Sequence, residues 1–207
     1  MNDIIGFAGK MRSGKGAAAA FLKGEYNYSY VEVADFLKSV CVELTGLSDV
    51  KELNEYKNNG NVINIFFDEA MCKRLSEMTG VPFEFIKMKM LGKRILNVRV
   101  LLQMLGTDVL RDYNENWHIY HLADEIMALR KENKPVVIGD IRFANEKLFV
   151  ESLGGVVYYV NRDDNPVCSH HVSENSLSKD DFKDEYVIEN SSDVFEFLKG
   201  VKQRLVS

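Results

Sequence analysis

The chain has 207 residues, 46% hydrophobic and 28% charged, with a formal net charge of −5. That length buries one sizeable core, the composition is globular, and the acidic balance argues against a protein that coats nucleic acid. No stretch has the layout of a signal peptide or approaches the ~18 apolar residues of a membrane span, so a soluble cytoplasmic protein is expected, with neither nucleic acid nor membrane as partner.

In chain order, the apolar run Ile4 to Ala8 leads into Gly9-x4-Gly14-Lys15, and an alanine-rich segment follows. Strand, glycine-rich loop and helix in this order form a phosphate-binding unit. Glycines let backbone N–H groups converge on phosphate oxygens, the helix N-terminus adds positive potential, and Lys15 supplies a mobile charge. The residue after the lysine is Gly16 and the next is Ala17, so no hydroxyl stands there to hold Mg²⁺. The helix is expected from Gly16 to about Leu22 or Lys23, and Ser29 to Ala34 alternates as a second strand. Asp35 and Lys38 follow its C-terminal end, where open α/β sheets place ligand-binding groups, and Val40 to Leu44 reads as helical.

Residues 46–66 are irregular, with a short polar segment from Val50 to Lys57. A helix is expected over Asp68 to Met78 and another over Phe83 to Leu91, with no strand between the second strand and residue 135. This region therefore reads as a helical insertion, about 45–97, in a single domain whose core is about 1–44 and 98–207. Asn97 caps a helix from Val98 to about Asp112 that Gly106-Thr107 interrupts, and Trp117 to Lys131 is the next helix. Pro135 to Asp140 is a buried strand ending in an acid, Phe143 to Leu153 a helix, Val156 to Val160 and Tyr186 to Glu189 strands, and Val194 to Leu205 a final helix. Short strands alternating with helices predict a parallel sheet covered on both faces.

Asp140 is read as orienting Mg²⁺ or its water shell, or as a helix N-cap. Arg142 is a phosphate clamp or a partner for Glu146. Arg111 is a helical arginine of the solvated or ion-paired kind. Arg162 opens the polar segment 161–166, which is a closing loop or a plain turn. Trp117 either stacks on a base or belongs to the core. His118 and His121 share a helix face and His170-His171 are adjacent, but no Cys or acid spacing completes a metal site. Cys41, Cys72 and Cys168 lack metal spacing and cannot all pair, so reduced, mostly buried thiols are expected. Phe83, Phe85 and Ile86 would mark a homodimer surface if uncovered.

Taken together, Gly9-Lys10-x2-Ser13-Gly14-Lys15, Ala34-Asp35-x-Leu37-Lys38, Leu102-Gln103-x2-Gly106-Thr107-Asp108-x2-Arg111 and Asn116-Trp117 resemble the bacteriophage deoxynucleoside monophosphate kinase family, within the P-loop nucleotide kinases. The resemblance continues through Asp140-Ile141-Arg142-Phe143-x-Asn145-Glu146, Gly154-Gly155, Arg162, His171-x-Ser173-Glu174 and Asn190. Gly16-Ala17 departs from the acid and threonine often found there. The resemblance implies a three-layer α/β fold, a five-stranded parallel sheet in the order 2-3-1-4-5, a helical NMP-binding insertion and a lid at about 161–176. It implies ATP and Mg²⁺ as cofactors, with Gly9, Lys10, Arg12, Ser13, Gly14, Lys15, Gly16 and Ala17 at the ATP phosphates and Asp140 serving the metal. Asp35, Lys38, Gln103, Arg111 and Trp117 would face the acceptor nucleotide, Arg142 would bridge the two phosphates, and Arg162 would be the lid arginine.

The expected function is therefore ATP-dependent phosphorylation of deoxynucleoside 5′-monophosphates, in the host cytoplasm if the protein is phage-encoded. The alternatives are a kinase of the same architecture acting on phosphomevalonate or dephospho-coenzyme A, and a nucleotide-binding protein without catalysis.

Overall fold

The computed structural model describes residues 2–162, 176–190 and 193–206. Five strands, β1 (Ile4–Ala8), β2 (Ser29–Val31), β5 (Val136–Ile141), β6 (Val156–Asn161) and β7 (Val187–Glu189), form a sheet in the order β2-β5-β1-β6-β7. All four pairings are parallel. Numbered among themselves, these strands run 2-3-1-4-5, as expected.

The chain divides into two compact units, one of residues 1–33 and 119–207 and one of residues 34–118. The first holds the parallel sheet. One of its faces packs Ile4, Ala8, Ile138 and Tyr159 into a core with Leu122, Ile126 and Val150, and the other packs Ile5, Phe7, Val137 and Val160 against Ala18, Leu22, Phe197 and Val201. Every β1 residue is buried, which is why the strand reads as an unbroken apolar run. The helices of this unit are α1 (Lys15–Tyr26), most of α7 (Trp117–Lys131), α8 (Ala144–Ser152) and α9 (Val194–Val206). β2 is shorter than its alternating sequence suggests. Val33 leaves the ladder and donates its N–H to Asp140 Oδ1 at 2.6 Å.

The second unit begins earlier and ends later than the insertion expected at 45–97. It carries α2 (Asp35–Thr45), α3 (Val50–Asn59), α4 (Glu69–Thr79), α5 (Phe83–Met90) and α6 (Val98–Gln103). It also contains two strands where none was expected: β3 (Val62–Phe66) and β4 (Arg94–Asn97) pair antiparallel. β3 alternates strictly, with Ile63 and Ile65 buried and Val62, Asn64 and Phe66 exposed. Asp49, Asp68 and Asn97 cap their helices by accepting backbone N–H groups.

α6 runs directly into a π-helical stretch from Met104 to Arg111, which accounts for the interrupted pattern at Gly106-Thr107. Ile86 is fully buried, and Phe83 and Phe85 pack half-buried against this unit's core. Among the described residues no helix is long and apolar enough to cross a membrane.

Candidate active site

The phosphate loop lies in the first unit between β1 and α1. Its turn needs left-handed backbone at Gly9 (φ 141°), Arg12 (φ 61°) and Gly14 (φ 112°). A Cβ on Gly9 would stand 2.5 Å from the Val160 carbonyl oxygen and 2.8 Å from Ser13 Oγ, and one on Gly14 would stand 2.6 Å from Asn190 Nδ2. Both positions therefore require glycine, on conformation and on space. Gly16 differs: its backbone is not left-handed, and nothing lies within 4 Å of an added Cβ.

Lys15 is folded into the loop and donates from Nζ to the carbonyls of Gly9 at 2.6 Å and Lys10 at 2.7 Å. Ser13 is buried, its N–H donates to Lys10 O at 3.2 Å, and its hydroxyl has no hydrogen-bond partner among the described residues. Lys10, Arg12, Gly16 and Ala17 are exposed or nearly so. From the far end of the chain, Asn190 Nδ2 donates to Ser13 O at 2.7 Å.

At the end of β5, Asp140 accepts the Val33 N–H, so one carboxylate oxygen is engaged in holding the end of β2. The N-cap alternative for Asp140 is not what forms. Glu146 closes the start of α8 instead, its Oε2 accepting the backbone N–H of Arg142 at 2.8 Å and of Phe143 at 3.1 Å. Glu146 thus partners Arg142 through the main chain, and this 2%-exposed carboxylate sets the backbone from which the arginine projects. Arg162 is exposed just beyond β6. The rest of the expected lid lies outside the described residues, with His170, His171, Ser173, Glu174 and Cys168.

The acceptor candidates lie in the second unit. Asp35 and Lys38 are in the first turn of α2 and form an ion pair at 3.2 Å, with Lys38 nearly buried. Gln103 ends α6, and Arg111 ends the π stretch, where its Nη1 donates to Glu115 O at 3.0 Å. Trp117 lies where the core alternative places it. It is 6% exposed, belongs to the hydrophobic core, packs against Phe36 with ring centroids 5.5 Å apart, and donates Nε1–H to Thr79 O at 3.1 Å. A ring so enclosed offers no open face to a base.

Cys41 and Cys72 are buried, and burial pushes both thiols above their ordinary pKa. Among the described residues no group of three His, Cys, Asp or Glu side chains is placed to hold a metal ion. Asp140, at the end of β5, is a single carboxylate of the kind Mg²⁺ takes one or two of, alongside waters and substrate phosphates.

The sequence assigns no role to Asn190, leaves Glu146 only as a partner for Arg142, and gives His118 no metal site. Each makes a main-chain contact: that of Glu146 is local, whereas those of Asn190 and His118 reach other elements.

The parallel sheet, its strand order and the glycine loop after β1 define a P-loop nucleotide kinase fold. Residues 54–201 match the family model described as deoxynucleotide monophosphate kinase, and the chain belongs to that family. Over 96% of its length it is 27% identical to a protein of Acanthamoeba polyphaga mimivirus, provisionally named a deoxynucleotide monophosphate kinase, of which 93% is covered. A dephospho-CoA kinase from Campylobacter jejuni superposes with a TM-score of 0.45 at 11% identity, over 98% of this chain and 95% of that one.

Proposed function

We propose that the protein transfers the γ-phosphoryl group of ATP to the 5′-phosphate of a deoxynucleoside monophosphate, giving ADP and the diphosphate. An acceptor phosphate oxygen forms the new P–O bond as the β–γ bridging bond breaks and the electron pair leaves with ADP. The acceptor is anionic at neutral pH, so no general base is required, and the protein's task is alignment and charge stabilisation. The observation that carries this reading is the phosphate loop: two glycines in conformations no other residue adopts cheaply, wrapped around Lys15.

Lys15 holds two loop carbonyls and would exchange them for phosphate oxygens, adding its charge where negative charge develops. Ser13 contributes a buried hydroxyl in the same turn. Arg142 and Arg162 would neutralise the transferring group. Asp35, Lys38, Gln103 and Arg111 would bind and orient the acceptor. Asp140 would hold the water shell of Mg²⁺ through carboxylate capacity beyond the Val33 contact, and the ion would supply charge stabilisation to the phosphates.

The test is ADP formation from Mg-ATP with each of the four common deoxynucleoside monophosphates, their ribonucleotide counterparts, phosphomevalonate and dephospho-coenzyme A, with Lys15→Ala alongside. Turnover with one or more deoxynucleotides, reduced on the order of a hundredfold or more in Lys15→Ala while the fold survives, is the expected result. Turnover only with phosphomevalonate or dephospho-coenzyme A would reassign the acceptor. ATP binding without turnover on any acceptor would make this a binding protein.

A further inference from the structure

The π-helical stretch Met104–Arg111 lies between two acceptor candidates, Gln103 before it and Arg111 at its end. Each π turn takes in about one residue more than an α turn, so everything beyond it is rotated by about 100° relative to an unbroken α-helix. The direction of Arg111 relative to Gln103 is therefore a property of the π register. Helices relax to the α register unless something holds them out of it, and π stretches of this length are rare.

Two contacts, both within the second unit, hold this one. His118 Nε2 lies 3.1 Å from the carbonyl oxygen of Gly106, the third residue of the π stretch. A carbonyl only accepts, so the hydrogen bond places the imidazole proton on Nε2. Gly106 also faces α2. A Cβ there would stand 2.9 Å from Leu37 Cδ2 and 3.7 Å from His118 Nε2, so the missing side chain is what lets α2 approach. Leu37 lies between Asp35 and Lys38, the other acceptor candidates. His118 is 6% exposed and held edge-on to Trp117, with ring centroids 5.1 Å apart at 88°. The Trp117 indole is itself anchored to Thr79 O. The imidazole is thus locked in place, and a one-residue shift back to the α register would carry the Gly106 carbonyl away from it.

We propose that His118 is the positioning residue for the acceptor nucleotide: by donating to the Gly106 carbonyl it holds the π register that sets Gln103 and Arg111 against Asp35 and Lys38. This rests on the reading of those four residues as the acceptor's binding groups. His118 itself touches no substrate.

The test compares wild type with His118→Leu, which keeps much of the packing and loses the donor, and His118→Gln, whose amide N–H can replace Nε2–H. Three quantities are measured: KM for the deoxynucleotide at saturating ATP, KM for ATP at saturating acceptor, and hydrogen exchange of the 104–111 amides in ligand-free protein. In His118→Leu the acceptor KM rises on the order of tenfold or more, the ATP KM stays within about twofold, and exchange accelerates across 104–111 but not in the phosphate loop. His118→Gln restores most of both losses. An unmoved acceptor KM in folded His118→Leu overturns the proposal, and so does a parallel rise in both KM values or unchanged exchange. A wild type inactive on every deoxynucleotide instead overturns the kinase reading, and the acceptor role of His118 with it, on wild-type data alone.

Discussion

Asn190 donates its side-chain N–H to the carbonyl of Ser13 at 2.7 Å, across 177 residues of sequence. The same amide nitrogen fills the space a Cβ on Gly14 would need, and Asn190's own backbone N–H is held by Asn161 O at 2.8 Å. The residue after the last strand of the sheet thereby buttresses the phosphate loop from behind. Asn190→Ala leaves a buried carbonyl unpaired and should cost about 1–3 kcal/mol. Asn190→Asp is the sharper variant, because it sets a carboxylate against that carbonyl at nearly unchanged volume. Its KM for ATP is expected to rise at least as much as that of Asn190→Ala, with the acceptor KM little changed. Denaturant melts and two-substrate kinetics on both variants check this.

The loop glycines separate into two kinds. Gly9→Ala drives a Cβ to 2.5 Å from a backbone oxygen that cannot swing away, in a left-handed conformation. It should lose about 1–3 kcal/mol and most of the turnover. Gly16→Ala meets nothing and shortens the list of unfolded conformations, so it should gain up to about 1 kcal/mol with turnover retained. Gly16→Ser additionally offers the hydroxyl that P-loop enzymes commonly present to the metal. The Mg²⁺ concentration for half-maximal rate is expected to fall in Gly16→Ser and to stay put in Gly16→Ala. Magnesium titrations on the pair read this directly.

What the sequence made legible, and what it did not, follows from how far apart the determining contacts lie. The parallel strands are short apolar runs because both faces are buried, and the phosphate loop is spelled by residues seven apart or fewer. β3 was hidden because Asn61 and Asn64 look like loop residues, although Asn64 merely occupies an exposed strand position. α3 buries only Leu53, so its period was faint. Gly106-Thr107 announced an interruption. That the interruption is a π stretch depends on Leu37 and His118, which reach it from other elements. Trp117 was ambiguous for the same reason: burial by Phe36 and a bond to Thr79 O are tertiary facts.

Glu146 gives a prediction in which charge and shape separate. Its buried carboxylate accepts the N–H groups of Arg142 and Phe143 together. Glu146→Gln keeps one oxygen that can accept but loses the charge-assisted strength, for a cost of about 1–2 kcal/mol. Glu146→Ala leaves two backbone donors unpaired and should cost about 2–4 kcal/mol. If Arg142 works on the transferring phosphoryl group, kcat falls in the same order as stability, Glu146→Ala below Glu146→Gln. A stability loss in Glu146→Ala with kcat unchanged would detach Arg142 from the chemistry.

His121 on α7 sets an acid-side dependence of stability. Burial pushes its imidazole below the ordinary pKa, with Asp124 opposing the shift only in part. The folded state therefore resists protonation while the unfolded chain does not. At neutral pH and above the imidazole is neutral in both states and contributes no difference. As pH falls through the unfolded value, about 6.5, the unfolded chain takes up a proton first, and stability drops until the folded pKa is reached. His121→Asn removes that proton difference. Between pH 7.5 and pH 5.5 its melting temperature is expected to fall less than that of wild type, after the shared carboxylate contribution cancels in the comparison. Equal falls in the two proteins would show that the imidazole is solvated and that the acid sensitivity resides elsewhere.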